Sequence, residues 1–146
     1  MALDSIYTDL ILEYSRSSHN RRRLEHPDCS ERGHNPSCGD DITLELKLDK
    51  DRIVEAAFTG QGCAISQAST AMMIDLISGK SLQEAKAMAD AFIAMIQGRN
   101  TDEAQLKVLS DALVFKNIAN LPARVKCANL AWHTLKIAAE KSMEES

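Results

Sequence analysis

Residues 43–59 read TLELKLDKDRIVEAAFT, and this segment has the pattern of two short strands. Apolar and polar residues alternate strictly over 43–48, and they alternate again over 53–59. Alternation with a period of two is typical of a strand with one buried face, and the polar residues 49–51 predict a turn. The segment therefore predicts an antiparallel hairpin whose apolar face must be covered by other elements. In the second strand, we expect that face to consist of Val54, Ala56 and Phe58.

The residues before the hairpin predict one short helix and a polar connection. Leu3 to Tyr14 has apolar residues at helical spacing. Residues 15–36 are polar and contain the arginine run 21–23, Pro27 and Gly33. We interpret them as a loop, with a short edge strand near Cys29 as an alternative.

The residues after the hairpin predict only helices. The first ends at Gly79, and a second begins at the capping box Ser81-Leu82-Gln83-Glu84 and ends at Gly98. Residues 99–120 predict one or two short helices, and Pro122 begins the last helix. The apolar faces expected on the first and last of these helices are Ile65, Ala68, Met72 and Leu76, and Val125, Ala128, Trp132, Leu135 and Ala139.

This order of elements predicts the fold class. Strands followed by helices favour an α+β fold, in which helices cover one face of a small antiparallel sheet of two to three strands. With 146 residues, we expect a single domain over 1–146.

Composition narrows the classes of function. The formal charge of −4 argues against a nucleic-acid partner, and no apolar run is long enough to span a membrane. Residues 1–12 have no basic residue and no signal-peptide cleavage site, so we expect a cytoplasmic protein. In that reducing compartment, the four cysteines favour metal binding or catalysis over disulfides.

Two glycine-containing segments place metal-binding residue types in turns. Cys38 and Asp40 lie two positions apart in NPSCGD (35–40), a loop sequence that precedes the first predicted strand. Cys63 ends GQGC (60–63), where the hairpin gives way to a helix. The glycines permit a tight turn, and a helix N-terminus favours a thiolate.

A third segment, RVKC (124–127), places Cys127 at the border of the apolar stripe on the last helix. Three thiolates and one carboxylate suit a tetrahedral zinc ion, and their excess negative charge could be offset by Arg124 and Lys126. An oxygen donor among sulfurs indicates a site that can open rather than one that only braces a fold.

These motifs, NPSCGD (35–40), GQGCAIS (60–66) and PARVKCA (122–128), together and in this order resemble one family. It is the sulfur-transfer and iron–sulfur scaffold family whose members are called SufU, IscU and the N-terminal part of NifU. The resemblance extends from the first helix to Ala139. One departure is RSSHN (16–20), which lacks the proline that the family usually has after that helix.

Within this family, the resemblance is greatest to SufU. Lys126 precedes the last cysteine, where IscU-type scaffolds have histidine, and residues 99–121 resemble the SufU insertion. The resemblance implies a zinc-dependent sulfurtransferase that takes persulfide sulfur from the cysteine desulfurase SufS, acting as its co-substrate or activator. It implies a supporting role for Arg124 and four zinc ligands: Cys38, Asp40, Cys63 and Cys127.

Among the thiols, Cys38 is the predicted sulfur acceptor, because it lies on a loop beside Gly39 while the other two belong to helices. One alternative function is a scaffold on which the same ligands assemble a [2Fe–2S] cluster, with iron in place of zinc. Another is an interaction module with a purely structural zinc ion.

Several other residues have simpler interpretations. Cys29 matches no motif and is interpreted as a bystander, and His133 is expected to face solvent. His34 stays a weak ligand candidate because it is near the NPSCGD loop. Core packing is expected for Met72, Met73, Met88, Met95 and Trp132.

Overall fold

A three-stranded antiparallel sheet covered by helices forms the chain, as the computed structural model shows. It describes residues 2–18, 20–36, 39–99, 106–120 and 122–145. None of the helices within these ranges is both long and apolar enough to cross a membrane. The α+β prediction is confirmed. The elements are α1 (Ala2–Arg16), β1 (Cys29–Asn35), β2 (Asp40–Asp49), β3 (Arg52–Gln61), α2 (Ala64–Ile77), α3 (Leu82–Ile96), the 3₁₀ helix η1 (Lys107–Asn120) and α4 (Pro122–Glu145).

The strands lie in the order β1-β2-β3, and their register brings three strand ends together. Asn35 at the end of β1 pairs with Asp40 at the start of β2. Asp41 pairs with Gln61, the last residue of β3. One end of the sheet therefore collects the β1–β2 connection, the start of β2 and the exit from β3, which are the places where two of the three cysteine motifs occur.

The segment predicted chiefly as a loop contains a full strand. All of β1 pairs with β2, from Cys29 opposite Leu46 to Asn35 opposite Asp40. Its sequence does not show apolar alternation, because the residues in phase with the buried Gly33 include the polar Glu31 and Asn35. A Cβ atom on Gly33 would lie 2.0 Å from Thr134 Oγ1, so the glycine lets β1 approach α4 closely.

The predicted inner face of β3 is wrong at Val54, which is 46% exposed, while Ile53 is fully buried. The cause is an irregularity in pairing with β2. Lys47 pairs with Glu55 but Leu48 pairs with Ile53, so one extra residue of β3 bulges outward. A bulge of this kind reverses the inward and outward alternation on its two sides.

Helix α2 is buried on nearly all sides, not on the single face that was predicted. Every residue from Ser66 to Ile74 is buried, because α1, β3, η1 and α4 surround the helix. Trp132 of α4 anchors this packing, with its Nε1–H donating to Ser69 Oγ at 3.0 Å and its ring stacked on Phe92 at 4.5 Å. The methionines expected in the core are buried there: Met72, Met73, Met88 and Met95.

The segment before α4 is a 3₁₀ helix, and its apolar residues explain why. A 3₁₀ helix has three residues per turn, so side chains at every third position line one edge. The buried residues of this segment follow that period, and Phe115 packs edge-on against Phe92 at 5.9 Å. They are Leu106, Leu109, Ala112, Phe115 and Ile118.

Candidate metal centre

Asp40 places a carboxylate in the interior at the sheet end. It is in phase with Ile42 and Leu44 on the face of β2 that the helices cover, and it is fully buried. Its Oδ1 accepts a hydrogen bond from the backbone N–H of Cys63 at 2.9 Å. Its Oδ2 is buried and has no hydrogen-bond partner among the described residues. A buried carboxylate oxygen without a partner is costly, so an ion beside it would satisfy the site.

Two glycines shape the turn that leads from β3 to α2. Gly60 has φ +127°, a backbone conformation that favours glycine. A Cβ atom on Gly62 would lie 2.5 Å from Asp40 Oδ1. Any larger residue at position 62 would displace the carboxylate, so the glycines allow the chain to pass directly beside Asp40.

Cys63 is the N-cap of α2, as the sequence predicted for a cysteine at a helix start. Its backbone is extended, and its Sγ accepts a hydrogen bond from the backbone N–H of Ser66 at 3.5 Å. The side chain therefore occupies the position where serine or aspartate usually caps a helix. This cap fixes the sulfur beside the Asp40 carboxylate.

Cys127 comes from the first half of α4 and is 4% exposed. The next residue, Ala128, accepts a hydrogen bond from Ser69 Oγ through its carbonyl at 2.7 Å. This contact joins α4 to α2 close to the helix start at Cys63. The packing of the two helices thus turns Cys127 toward the sheet end.

The three side chains form one cluster. Ligand atoms of Asp40, Cys63 and Cys127 all lie within 4.8 Å of one another. Sulfurs bound to a tetrahedral zinc ion at about 2.3 Å are separated by roughly 3.8 Å, so a small contraction would bring these atoms into a coordination shell. These donors, together with an Asp40 Oδ2 that has no partner among the described residues, fit a thiophilic divalent ion.

Cys38, the fourth predicted ligand, lies outside the described residues, as does Ser37. Its neighbours Pro36 and Gly39 are described, and they belong to the connection between Asn35 and Asp40. That connection lies at the same sheet end as the cluster. The predicted roles of Cys38 as ligand and sulfur acceptor stay predictions.

One cation on β1, Arg32, already forms an ion pair with Asp41. The Arg32 guanidinium donates to both carboxylate oxygens of Asp41, at 2.9 and 2.6 Å. These hydrogen bonds hold the pKa of Asp41 below its usual value. Arg124 and Lys126 are exposed on α4, one turn and one residue before Cys127. The supporting role of Arg124 stays a prediction.

Three other candidates lie outside the cluster. Cys29 pairs with Leu46, six positions along β2 from Asp40 and roughly 20 Å away at the usual strand rise. His34 is exposed opposite Asp41 and is not among the described residues that group as ligands. His133 is exposed as predicted, and partial desolvation together with Lys136 holds its pKa below the usual value.

Three buried polar residues near the cluster were not predicted from the sequence. Ser66, Gln67 and Asn129 have buried side-chain atoms that lack hydrogen-bond partners among the described residues. Two of them follow Cys63 on α2 and the third follows Cys127 on α4. The available signal was the polar pair Ser66-Gln67 inside an otherwise apolar helix.

Fold and cluster together define a class: a small α+β protein that presents a buried carboxylate and two thiols at one end of its sheet. The chain belongs to the family described as the NifU-like N terminal domain, which matches residues 6–128. The family expected from the sequence is thereby confirmed.

Named relatives span most of the chain. It is 41% identical over 140 residues to the iron–sulfur cluster assembly scaffold protein IscU of Streptococcus pyogenes serotype M1, covering 96% of this chain and 86% of that protein. It is 37% identical over 134 residues to the zinc-dependent sulfurtransferase SufU of Bacillus subtilis strain 168, covering 92% and 89%. A crystal structure of a candidate iron–sulfur cluster assembly scaffold protein for the SUF system, from Fervidobacterium islandicum AW-1, has a TM-score of 0.86 at 43% identity, covering 92% and 97%.

Proposed function

We propose that the chain is a cytoplasmic zinc-dependent sulfurtransferase that accepts persulfide sulfur from a SufS-type cysteine desulfurase for iron–sulfur cluster assembly. The observation that carries the proposal is the cluster of Asp40, Cys63 and Cys127, whose ligand atoms lie within 4.8 Å of one another. The SufU relative supports the choice of zinc. Lys126 before the last cysteine supports the same choice at the level of sequence.

Four donors would hold the ion: Cys38, Asp40, Cys63 and Cys127. Bound zinc keeps the thiols deprotonated and protects them from oxidation. Asp40 Oδ2 is the oxygen available for the ion, since Oδ1 already accepts the Cys63 N–H. Because one ligand is a carboxylate, this zinc site has fewer sulfur ligands than a purely structural one. The site can therefore open when a partner protein supplies another ligand.

Cys38 is the thiol we assign as sulfur acceptor. Cys127 belongs to the hydrogen-bonded interior of α4, and Cys63 caps α2, so moving either would disturb a helix. Pro36 and Gly39, the nearest described residues on either side of Cys38, are part of neither β1 nor β2, and Gly39 has φ +72°.

The transfer itself is a thiol–persulfide exchange. The Cys38 thiolate attacks the terminal sulfur of the desulfurase persulfide, and a new S–S bond forms on Cys38. The S–S bond of the desulfurase breaks, and its cysteine leaves as a thiolate. No external oxidant or reductant is needed, because one persulfide replaces another.

A scaffold on which a [2Fe–2S] cluster is assembled is the second candidate. It is favoured by the Streptococcus pyogenes relative, which is named as an IscU scaffold. The same thiols could ligate iron, since thiolate-rich sites accept both metals. The two functions differ in what the freshly purified protein contains.

Metal content after anaerobic purification tests the proposal. We expect one zinc ion per chain and a colourless protein. Cys63→Ala and Cys127→Ala should each lose most of the zinc. Cys29→Ala is the matched control, because Cys29 lies toward the other end of the sheet, and it should keep the zinc. A brown protein with iron and sulfide would instead support the scaffold, and a metal-free parent would refute both.

Mass spectrometry tests the acceptor. After incubation with a cysteine desulfurase and free cysteine, we expect one added sulfur on the peptide that contains Cys38. Cys38→Ala should abolish transfer, while Cys29→Ala should transfer normally. Sulfur mapped to Cys63 or Cys127 would contradict the assignment.

A further inference from the structure

A buried hydroxyl beside the candidate metal centre has no hydrogen-bond partner among the described residues. Ser66 is 1% exposed, and its Oγ has neither donor nor acceptor in that part of the chain. Thr70, one turn later on the same helix, shows the usual solution for a buried hydroxyl. Its Oγ1 donates to the Ser66 carbonyl at 2.7 Å. Ser69, the third hydroxyl of α2, donates to the Ala128 carbonyl at 2.7 Å, so Ser66 differs from both of the other hydroxyls in the helix.

This hydroxyl, unpaired among the described residues, and the Asp40 carboxylate both lie close to Gly62. A Cβ atom built on Gly62 would be 3.3 Å from Ser66 Oγ and 2.5 Å from Asp40 Oδ1. A side chain at position 62 would therefore lie against both oxygens, and glycine avoids this contact. Ser66 also contacts the second ligand, because its backbone N–H donates to Cys63 Sγ.

We propose that Ser66 is a positioning residue for the metal centre, whose hydroxyl donates to Asp40 Oδ1 when the ion is bound. This inference rests on the metal binding that the proposed function includes. With the Cys63 N–H and the Ser66 hydroxyl both directed at Oδ1, Oδ2 is the carboxylate oxygen left for the ion. Hydrogen bonds of this kind orient metal ligands, and their removal typically weakens metal affinity by about 10- to 100-fold.

Asp40 is a better acceptor than Cys63 for this hydroxyl. Cys63 Sγ already accepts a hydrogen bond from the Ser66 backbone N–H. The carboxylate carries a full negative charge when it binds metal, and charged acceptors form the stronger hydrogen bonds.

The experiment compares Ser66→Ala with the matched control Thr70→Val. Zinc affinity is measured by competition with a chromophoric chelator, and unfolding temperature is measured with and without zinc. Ser66→Ala should weaken zinc binding by about 10-fold or more. Thr70→Val, which loses a hydroxyl satisfied within the helix, should bind zinc as the parent does.

Two further readouts separate positioning from a structural role. In the metal-free protein, Ser66→Ala should leave the unfolding temperature unchanged or raise it, because it removes an unpaired buried hydroxyl. In the cobalt(II)-substituted protein, Ser66→Ala should shift the ligand-field bands, and Thr70→Val should not. Both results follow only if the hydroxyl acts on the bound state.

Unchanged zinc affinity in Ser66→Ala, with a parent that binds zinc normally, would overturn this inference and leave the proposed function intact. Equal weakening by Ser66→Ala and Thr70→Val would also overturn it, as would a lower unfolding temperature of metal-free Ser66→Ala. A parent that binds no zinc would refute the metal site and the inference together.

Discussion

Asp40 shows how much one residue depends on its place in a strand. It is in phase with the apolar residues of β2, so it points into the covered side of the sheet although it is charged. Gly62 permits the close approach that buries it, and the Cys63 N–H satisfies one of its oxygens. The second oxygen is left for another partner. A single carboxylate thus links the start of β2 to the start of α2.

Asp40→Cys is expected to bind zinc more tightly and to transfer sulfur more slowly. A fourth thiolate is a softer donor than a carboxylate, so the ion should be released less readily. Zinc-release rates and desulfurase-dependent turnover measure the two effects. Asp41→Asn, a change of the neighbouring half-buried carboxylate, is the control and should alter neither by more than about 2-fold. Transfer by Asp40→Cys at the parent rate would contradict a role for the carboxylate in opening the site.

Arg124→Ala is expected to impair sulfur transfer more than folding. Arg124 is exposed one helical turn before Cys127, so its loss should change the free energy of unfolding by no more than about 0.5 kcal/mol. Its charge would be missing near a cluster of anionic ligands. Thermal melting and persulfide transfer are compared with Lys141→Ala, another exposed cation on α4. Parallel losses of stability and transfer would indicate a structural role.

At the scale of elements, some helices and caps are specified by local sequence, whereas strand β1 depends on packing against its neighbours. The capping box at Ser81 forms as its sequence predicts, with reciprocal hydrogen bonds of 3.0 and 3.1 Å to Glu84. The 3₁₀ helix η1 follows an apolar period of three that is visible in the sequence. Strand β1, in contrast, depends on its neighbours, because its polar sequence becomes a strand only between β2 and α4.

Ser81→Ala is expected to lower the free energy of unfolding by about 1 kcal/mol, the usual cost of removing a serine N-cap. The hydrogen bonds from Ser81 hold the pKa of Glu84 below its usual value. The contribution of Glu84 is therefore present above its ordinary pKa and is lost as pH falls through the lowered one. Urea unfolding of the parent and Glu84→Gln should show a stability difference that is largest near neutral pH and shrinks under acid conditions.

Gln83→Ala is the control for this cap, since Gln83 is exposed on the same turn. It should show no such pH dependence. A difference for Glu84→Gln that stays constant down to acid pH would mean that ionisation of Glu84 does not contribute.

At the scale of the whole molecule, the candidate centre and the core are adjacent but separate. Apolar residues from the sheet, α2, α3, η1 and α4 form a continuous core, anchored by Trp132. The cluster of Asp40, Cys63 and Cys127 lies where β2 and α2 begin. The core does not depend on a metal ion to bury its apolar surface.

Removal of zinc by a chelator is expected to lower the unfolding temperature without unfolding the protein. An ion that binds only the native state stabilises it by mass action, so its loss costs stability in proportion to affinity. Far-UV circular dichroism should retain the helical signal, and thermal unfolding should stay cooperative. Loss of the helical signal on chelation would support the interaction module with a structural zinc ion.

The sequence by itself determined those features that depend on neighbours along the chain. The hairpin follows from alternation over 43–59, the cap of α3 from Ser81 and Glu84, and the family from three short motifs. Cys63 at a helix start is also local, because two glycines mark the end of the hairpin. For such features, the spacing of residue types is itself the physical cause.

Only the tertiary structure decided what depends on contacts between distant segments. The bulge at Val54 arises from pairing with β2, and the burial of α2 on nearly all sides arises from the elements around it. The grouping of Asp40, Cys63 and Cys127 requires strand register and the contact between Ser69 and Ala128. The position of the Ser66 hydroxyl, which has no partner in the described part of the chain, is visible only once Gly62 and Asp40 are placed beside it. Burial and donor geometry are properties of the assembled chain, and no local spacing specifies them.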